Sequence, residues 1–459
     1  MRSATGDPLL VVAASLLLGG PAVTAHAQDA PVRLMTLDPG HFHAGLIQKE
    51  MYPGVAETVH VYAPLGPDLL AHLGRLAAFN SRASNPTHWR LEVPAGEDAL
   101  ARLLREKPGN VVVISGRNKG KIDAVLACVE GGLNALVDKP WLIEAADFPK
   151  LERTLDVAQQ KGLVAYDVMT ERHEVTTILQ QELAQDPAVT GTIGAGTDAL
   201  PAIELESVHQ LMKVVAGAVN LRPAWFFDTV EQGEALGDVG THLVDLVQWI
   251  LFPGQPIDYR TQIEVGPARR WPTVLERAQL LRLTGEKQLP AELDSRLKDG
   301  RLDYFANGEV SYTVRGFHAR VKALWDYEAP EGGGDTHRAV VRGSRARVEI
   351  LQGLEQKWLP ELYVVPLKAG DKAAVRGALE ARLAALAKPY PGLTVEDEGA
   401  RLRVGIPARY RVGHEAHFAQ VTQAFLGYLK NPALLPAWEK ANMLAKYYVT
   451  TRAVELSRR

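Results

Sequence analysis

The chain is 459 residues long, 46% hydrophobic and 23% charged, with a formal net charge of −3. That length suffices for two or three domains, each with its own core, and the near-neutral charge excludes the electrostatic footprint of a nucleic-acid or membrane-surface binder. With one cysteine, Cys128, there is neither an intrachain disulfide nor a multi-cysteine metal site.

Residues 1–27 read as an export signal. Arg2 supplies a positive end, residues 9–18 are apolar, and Ala25-His26-Ala27 is a small-x-small cleavage site. The apolar run is too short to span a bilayer as a permanent helix. A periplasmic or secreted protein is expected, with no stable membrane span once the signal is cleaved.

Residues 32–37 form a short apolar strand pattern that leads through Asp38-Pro39-Gly40-His41-Phe42-His43 into a helix over 44–51. Strand, glycine-bearing turn and helix open a dinucleotide-binding unit, in which helix N-terminal amides face a pyrophosphate. Of the glycines in G-x-G-x-x-G only Gly40 is kept, with Asp38 and His43 in the other two places. A second strand over 58–63 ends without the acidic residue that would hold an adenosine ribose, so NAD and NADP are not told apart. Val111-Val112-Val113-Ile114 is the continuous apolar run of a parallel strand covered on both faces, and Ser115-Gly116-Arg117-Asn118 follows as a turn. A helix over 121–130 stops at Gly131-Gly132, and a strand over 135–137 ends in Asp138-Lys139-Pro140. A helix over 148–161 and a strand over 163–168 continue the alternation. The pattern predicts an α/β domain over 31–167, a doubly wound parallel sheet whose ligands sit at the carboxyl ends of its strands.

Residues 168–459 are expected to form an α+β domain. Residues 309–327 alternate apolar and polar, with Gly316 shifting the phase as at a bulge, and 339–341 and 347–350 read as a hairpin. Together they predict a largely antiparallel open sheet. Residues 267–300 read as a charged helical insertion, 373–387 as an exposed amphipathic helix, and 417–429 and 438–456 as closing helices.

One stretch, residues 237–245, organises the rest. On a helix Asp238, His242, Asp245 and Trp249 line one face. Leu243, Val244, Leu246, Val247 and Ile250 make most of the remaining surface apolar, so the helix is largely buried. A carboxylate and an imidazole one turn apart in such a place are either a satisfied pair or a working one. His41-x-His43 and His414-x-x-His417 are the kinds of pair that metal sites use, but no set of further ligands falls at strand ends, and no metal is expected.

Taken in order, residues 32–43, 111–118, Asp138-Lys139-Pro140 and 233–245 resemble the Gfo/Idh/MocA oxidoreductase family. Asp138-Lys139-Pro140 is similar to the family's Glu-Lys-Pro, and Asp238-Val239-Gly240-Thr241-His242 to its D-x-G-x-H element. The resemblance implies a Rossmann domain followed by an open-sheet domain, NAD or NADP as cofactor, and hydride transfer to or from a sugar or glycoside hydroxyl. It implies His242 as acid/base, Lys139 as electrostatic and proton-transfer partner, and Asp238 as the residue that orients the imidazole. Gly40, Phe42, Ser115, Gly116, Asn118, Asp138 and Pro140 would border the cofactor, and Arg172 and His209 the substrate. Two alternatives stay open at this point: net glycoside hydrolysis through transient oxidation and elimination, and a cofactor-free carbohydrate-binding protein. The expected partner is a small sugar or glycoside, and the open sheet also offers a face for pairing into a homo-oligomer.

Overall fold

The apolar runs of the first third pair side by side. The computed structural model describes residues 31–459 apart from 216 and 217, so the export signal read over 1–27 lies outside the described residues. Strands and helices alternate as β1 (Leu34–Leu37), α1 (His43–Ile47), β2 (Thr58–Tyr62), α2 (Pro67–Ser81), β3 (Arg90–Glu92), α3 (Ala99–Glu106), β4 (Val111–Ile114), α4 (Lys121–Glu130), β5 (Asn134–Val137), α5 (Phe148–Lys161) and β6 (Ala165–Asp167). The six strands form one parallel sheet in the order β3-β2-β1-β4-β5-β6. Every residue of β1, β4 and β5 is buried, as strands covered by helices on both faces must be. The order reverses between β1 and β4, and a crevice opens there at the carboxyl ends of the strands.

The second unit follows α6 (Val175–Ala184). It comprises β7 (Ile203–Met212), α7 (Val239–Leu251), β8 (Ile263–Glu276), β9 (Arg301–Val314), β10 (Phe317–Glu328), β11 (Thr336–Arg342), β12 (Ala346–Gln352), β13 (Glu361–Pro366), α8 (Lys372–Ala385), β14 (Thr394–Glu398) and β15 (Arg401–Gly405). Its nine-stranded sheet runs β8-β9-β10-β7-β11-β12-β13-β15-β14. All its pairs are antiparallel except β7 with β10. Val239, Leu243, Val244, Leu246, Val247 and Ile250 of α7 pack into the core between this sheet and α6.

Two sequence expectations are corrected here. Residues 267–300 are not a helical insertion: their first part belongs to β8, laddered along β9, and only Arg277–Thr284 and Ala291–Asp294 are helical. Arg269 and Arg270 point to opposite faces of this edge strand and pair with Glu309 and Glu234, where they blunt a sheet edge instead of marking a helix surface. Gly316 sits in no bulge. With Arg315 it forms the two-residue turn between β9 and β10, φ 52° and 79°, the left-handed pair that a tight hairpin requires.

The last helices, α9 (His414–Lys430) and α10 (Glu439–Ser457), return to the first sheet. Phe418, Val421 and Phe425 of α9 complete the core on one of its faces, and Met443 and Tyr447 of α10 join the core on the other. The opposite side of α10 places Ala445, Val449 and Ala453 in the core of the second unit. This helix is a wedge shared by both. No described helix is long and apolar enough to cross a membrane.

Candidate functional site

A cavity of about 800 Å³ lies where the loops after β1, β5 and β6 meet α7, α9 and the strands β7 and β10. His41, His43, Lys139, Glu171, His209, Asp238, His242, Trp325 and His414 are among the residues that line it. The doubly wound sheet supplies the first three from strand ends, and the buried helix α7 supplies His242 one turn in.

Lys139 and His242 therefore meet across one space, although they come from different units. Lys139, after the cis Lys139–Pro140 peptide, donates to Asp238 Oδ1, and both side chains are almost wholly buried. Burial would drive the Lys139 ammonium to deprotonate, but Asp238 and Asp138 more than offset it and hold its pKa above the ordinary value. Asp238 also accepts from Gln232 Nε2 at 3.3 Å, and its own pKa lies at about 2, the Lys139 charge outweighing burial. Asp238 is thus the counter-ion of the lysine, and the expected role of orienting His242 is corrected. It precedes the first residue of α7, and its carboxylate turns toward Lys139. His242 is held well below its usual pKa by burial and by Lys139, which leaves it neutral. Its Nδ1 is buried with no hydrogen-bond partner among the described residues.

On the first-domain side three groups converge. Asp138, at the end of β5, stands with Oδ2 3.0 Å from His43 Nδ1 and 3.3 Å from His41 Nδ1. Ser115 Oγ donates to the same oxygen at 2.9 Å, and Lys121 Nζ fixes the Asp138 carbonyl at 3.1 Å. Burial lowers the pKa of His41 to about 3 and lowers that of His43 as well, so both imidazoles are neutral near pH 7. Burial alone would raise Asp138, but the two imidazoles beside it leave its carboxyl well below the usual range. No spacing rule ties residue 138 to residues 41 and 43. The loops after β1 and β5, the strands on either side of β4, bring them together.

His209 lines the cavity from β7, as expected. Its Nδ1 is 3.1 Å from Asp335 Oδ2, its Nε2 3.1 Å from Ser207 Oγ, and its ring 4.9 Å from that of Trp325. Lys213 binds the same Asp335 oxygen at 3.0 Å. Arg172 is corrected: it does not border the cavity. Its guanidinium pairs with Asp245 and Glu439 and stacks 5.1 Å from the Trp438 ring, tying α7 to α10. Glu171, Lys213 and Asp335 of the cavity wall escaped the sequence reading, because each stands in a loop or at an element end with no periodic neighbour, and His414, read there only as half of a metal-type pair, lines the same cavity.

The turn after β1 was expected to cradle a pyrophosphate, and the residues present do not fit one in this arrangement. Asp38 replaces the first glycine with φ 45°, a left-handed conformation that favours glycine. The amides of Gly40 and His41 already donate to Asp38 O and Ser115 O. Trp225 and Asp68 cover Gly40 so closely that a Cβ there would stand 3.1 Å and 3.0 Å from them. The carbonyl of Glu231 takes the amides of Asn118 and Lys119, and Asn118 Nδ2 donates to Gln232 O. Gly116 lies against Asp38, where a Cβ would come within 2.1 Å of its carbonyl oxygen. Of the residues expected around a cofactor, Gly40, Ser115, Gly116 and Asn118 are brought together, and the segment from Trp225 to Gln232 covers Gly40 and Asn118. Phe42 faces the cavity, while Asp138 and Pro140 are buried beside Lys139.

Comparison with known proteins follows the same architecture. Residues 179–458 match the family model described as "Putative oxidoreductase C terminal domain". The structure is similar to that of a protein from Parabacteroides merdae described as "a putative oxidoreductase", at 46% identity and TM-score 0.90 over 94% of this chain and 98% of that one. It shares its fold with the WlbA dehydrogenase from Bordetella pertussis in complex with NADH and UDP-GlcNAcA (13% identity, TM-score 0.53, 94% and 96% covered). It also shares it with KijD10, a 3-ketoreductase from Actinomadura kijaniata in complex with TDP-benzene and NADP (15% identity, TM-score 0.52, 93% and 97% covered). No curated protein matches the sequence. With its parallel dinucleotide-type sheet, its open second sheet and a family match over most of the chain, the protein belongs to the Gfo/Idh/MocA-type oxidoreductases.

Proposed function

We propose that the protein is an exported oxidoreductase that interconverts a hydroxyl and a carbonyl on a small carbohydrate-type substrate, with NAD or NADP as hydride partner. The observation that carries this reading is the meeting of Lys139 and His242 on the wall of one cavity. Membership of an oxidoreductase family supports redox chemistry, and the cofactors and sugar nucleotide named for the neighbours support the classes of cofactor and substrate.

The residues of this chain do the following work. Neutral His242 accepts the hydroxyl proton, since its lone pair is free at neutral pH. The Lys139 ammonium, kept charged by Asp238, offsets the negative charge that develops on that oxygen. His209 and Trp325 offer a hydrogen-bonding edge and an apolar face to the ring of a sugar. For a dinucleotide to enter the crevice, Trp225 and the Glu231 carbonyl must first leave the turn and the Asn118 amide.

The test is titration of the purified protein with NAD⁺ and NADP⁺, followed by indole fluorescence, because Trp225 lies on the turn. Turnover with a panel of sugars and glycosides is then followed by the absorbance of reduced nicotinamide. Saturable binding of one dinucleotide and reduction with at least one sugar are expected. Absence of both binding and reduction overturns the nicotinamide reading. The proposal of export predicts a mature chain beginning at Gln28, checked by N-terminal sequencing of the exported material.

A further inference from the structure

The geometry points to a site for a divalent first-row transition ion held by His41, His43 and Asp138, at the turn where relatives of this fold would seat a pyrophosphate. One ligand atom from each of the three residues lies within 4.8 Å of the other two. Two imidazole nitrogens face one carboxylate oxygen at 3.0 and 3.3 Å. Bonds of about 2.0–2.1 Å from a metal to nitrogen and oxygen place neighbouring donors roughly 2.9–3.4 Å apart. The two separations from the carboxylate oxygen therefore match edges of a coordination polyhedron, and the two imidazoles lie within reach of the same ion.

Hydrogen bonding alone accounts less well for it. His41 Nδ1 accepts the backbone N–H of His43 at 3.5 Å, and an imidazole nitrogen that accepts does not also donate. One nitrogen thus serves either that N–H or the Asp138 carboxylate 3.3 Å away, whereas a cation between ring and carboxylate would take a lone pair from each. The carboxylate is oriented by Ser115 Oγ, which donates to Oδ2, and Lys121 fixes the backbone carbonyl of the same residue, as the outer partners of a metal ligand do. The ring of His43 is wedged 4.6 Å from that of Phe418 on α9. Two imidazoles and one carboxylate leave coordination positions open, and His41 and His43 both border the cavity. Those positions would take water or a hydroxyl or carbonyl oxygen of a ligand in the cavity, polarising it as a Lewis acid. The site does not depend on nicotinamide binding and goes beyond it.

The experiment is calorimetric titration of chelator-treated protein with Zn²⁺, Mn²⁺ and, without oxygen, Fe²⁺, in the absence of any dinucleotide. Co²⁺ serves as an optical probe of the ligand set. One equivalent is expected to bind with at least one of these ions, and His41→Ala and Asp138→Asn are each expected to weaken it tenfold or more. Circular dichroism and melting show whether each variant is folded. Should Asp138→Asn fail to fold, His41→Ala decides the matter, because that side chain is partly exposed. No binding by the wild type, or unchanged binding in folded His41→Ala, overturns the site. Neither result bears on the dinucleotide titration, so the two proposals fail independently.

Discussion

The Lys446 ammonium, wholly buried in the last helix, stands 3.1 Å from Asp245 Oδ1 on α7. The same nitrogen is 3.1 Å from Asp167 Oδ2 at the end of β6, which also accepts the Tyr447 hydroxyl at 2.8 Å. Three elements from both units thus share one buried cation. Lys446→Met would leave two buried carboxylates facing each other, which costs about 3–5 kcal/mol when a buried pair is broken. Urea unfolding measures it. A change below about 1 kcal/mol would mean that Arg172 and Tyr447 satisfy the carboxylates unaided.

His242→Asn is expected to lower turnover by roughly 10²–10⁴-fold while leaving the fold intact. The imidazole Nδ1 has no hydrogen-bond partner among the described residues, so the exchange breaks no pairing there. Because burial holds the imidazole well below pH 6.5, the acidic limb of the rate profile should fall below that value. A limb at or above pH 6.5 would transfer the proton-accepting role to another group.

Glu171, on the cavity wall, has its pKa raised from 4.5 to about 7 by burial and by the neighbouring Glu174. The folded state thus binds a proton that the unfolded chain has released, and this contribution to stability declines as pH rises from about 4.5 to 7. Glu171→Gln should flatten that part of the stability curve. Its side chain remains 35% accessible, so the effect is modest, and chemical unfolding at pH 5 and pH 8 reads its direction. A wild-type curve that rises over this interval while the variant stays flat contradicts the assignment.

Gly116→Ala places a methyl group 2.1 Å from a backbone oxygen that cannot rotate away. It should destabilise the protein by about 1–3 kcal/mol, the usual cost of overpacking, with the melting temperature as the readout. A neutral outcome would show that the turn carrying Asp38 moves freely.

The first sheet was legible because fully covered parallel strands write themselves as unbroken apolar runs, as Val111 to Ile114 does. Helix α4 followed from its stop signal, Gly131. Strand β8 was not legible, because arginines at 269 and 270 on an exposed edge mimic a charged helix. Within the site, Lys139 and His242 were found by motif. Asp238 was assigned to His242 instead of Lys139 because the chain turns at Asp238 before the helix begins, and a helical wheel does not show a carboxylate that faces away from the wheel. The convergence of Asp138 on His41 and His43 is a product of strand order, β1 and β5 both flanking β4, which no local pattern encodes.

The flanks of the amino-terminal sheet are finished by Phe418, Val421, Phe425, Met443 and Tyr447, which lie far downstream of its last strand, Ala165–Asp167. Such long-range closure is slow and is realised late. During synthesis the first sheet therefore has to wait for the ribosome to release α10 before its greasy sides are sealed. A carboxyl-terminal truncation would damage the opposite end of the polypeptide first.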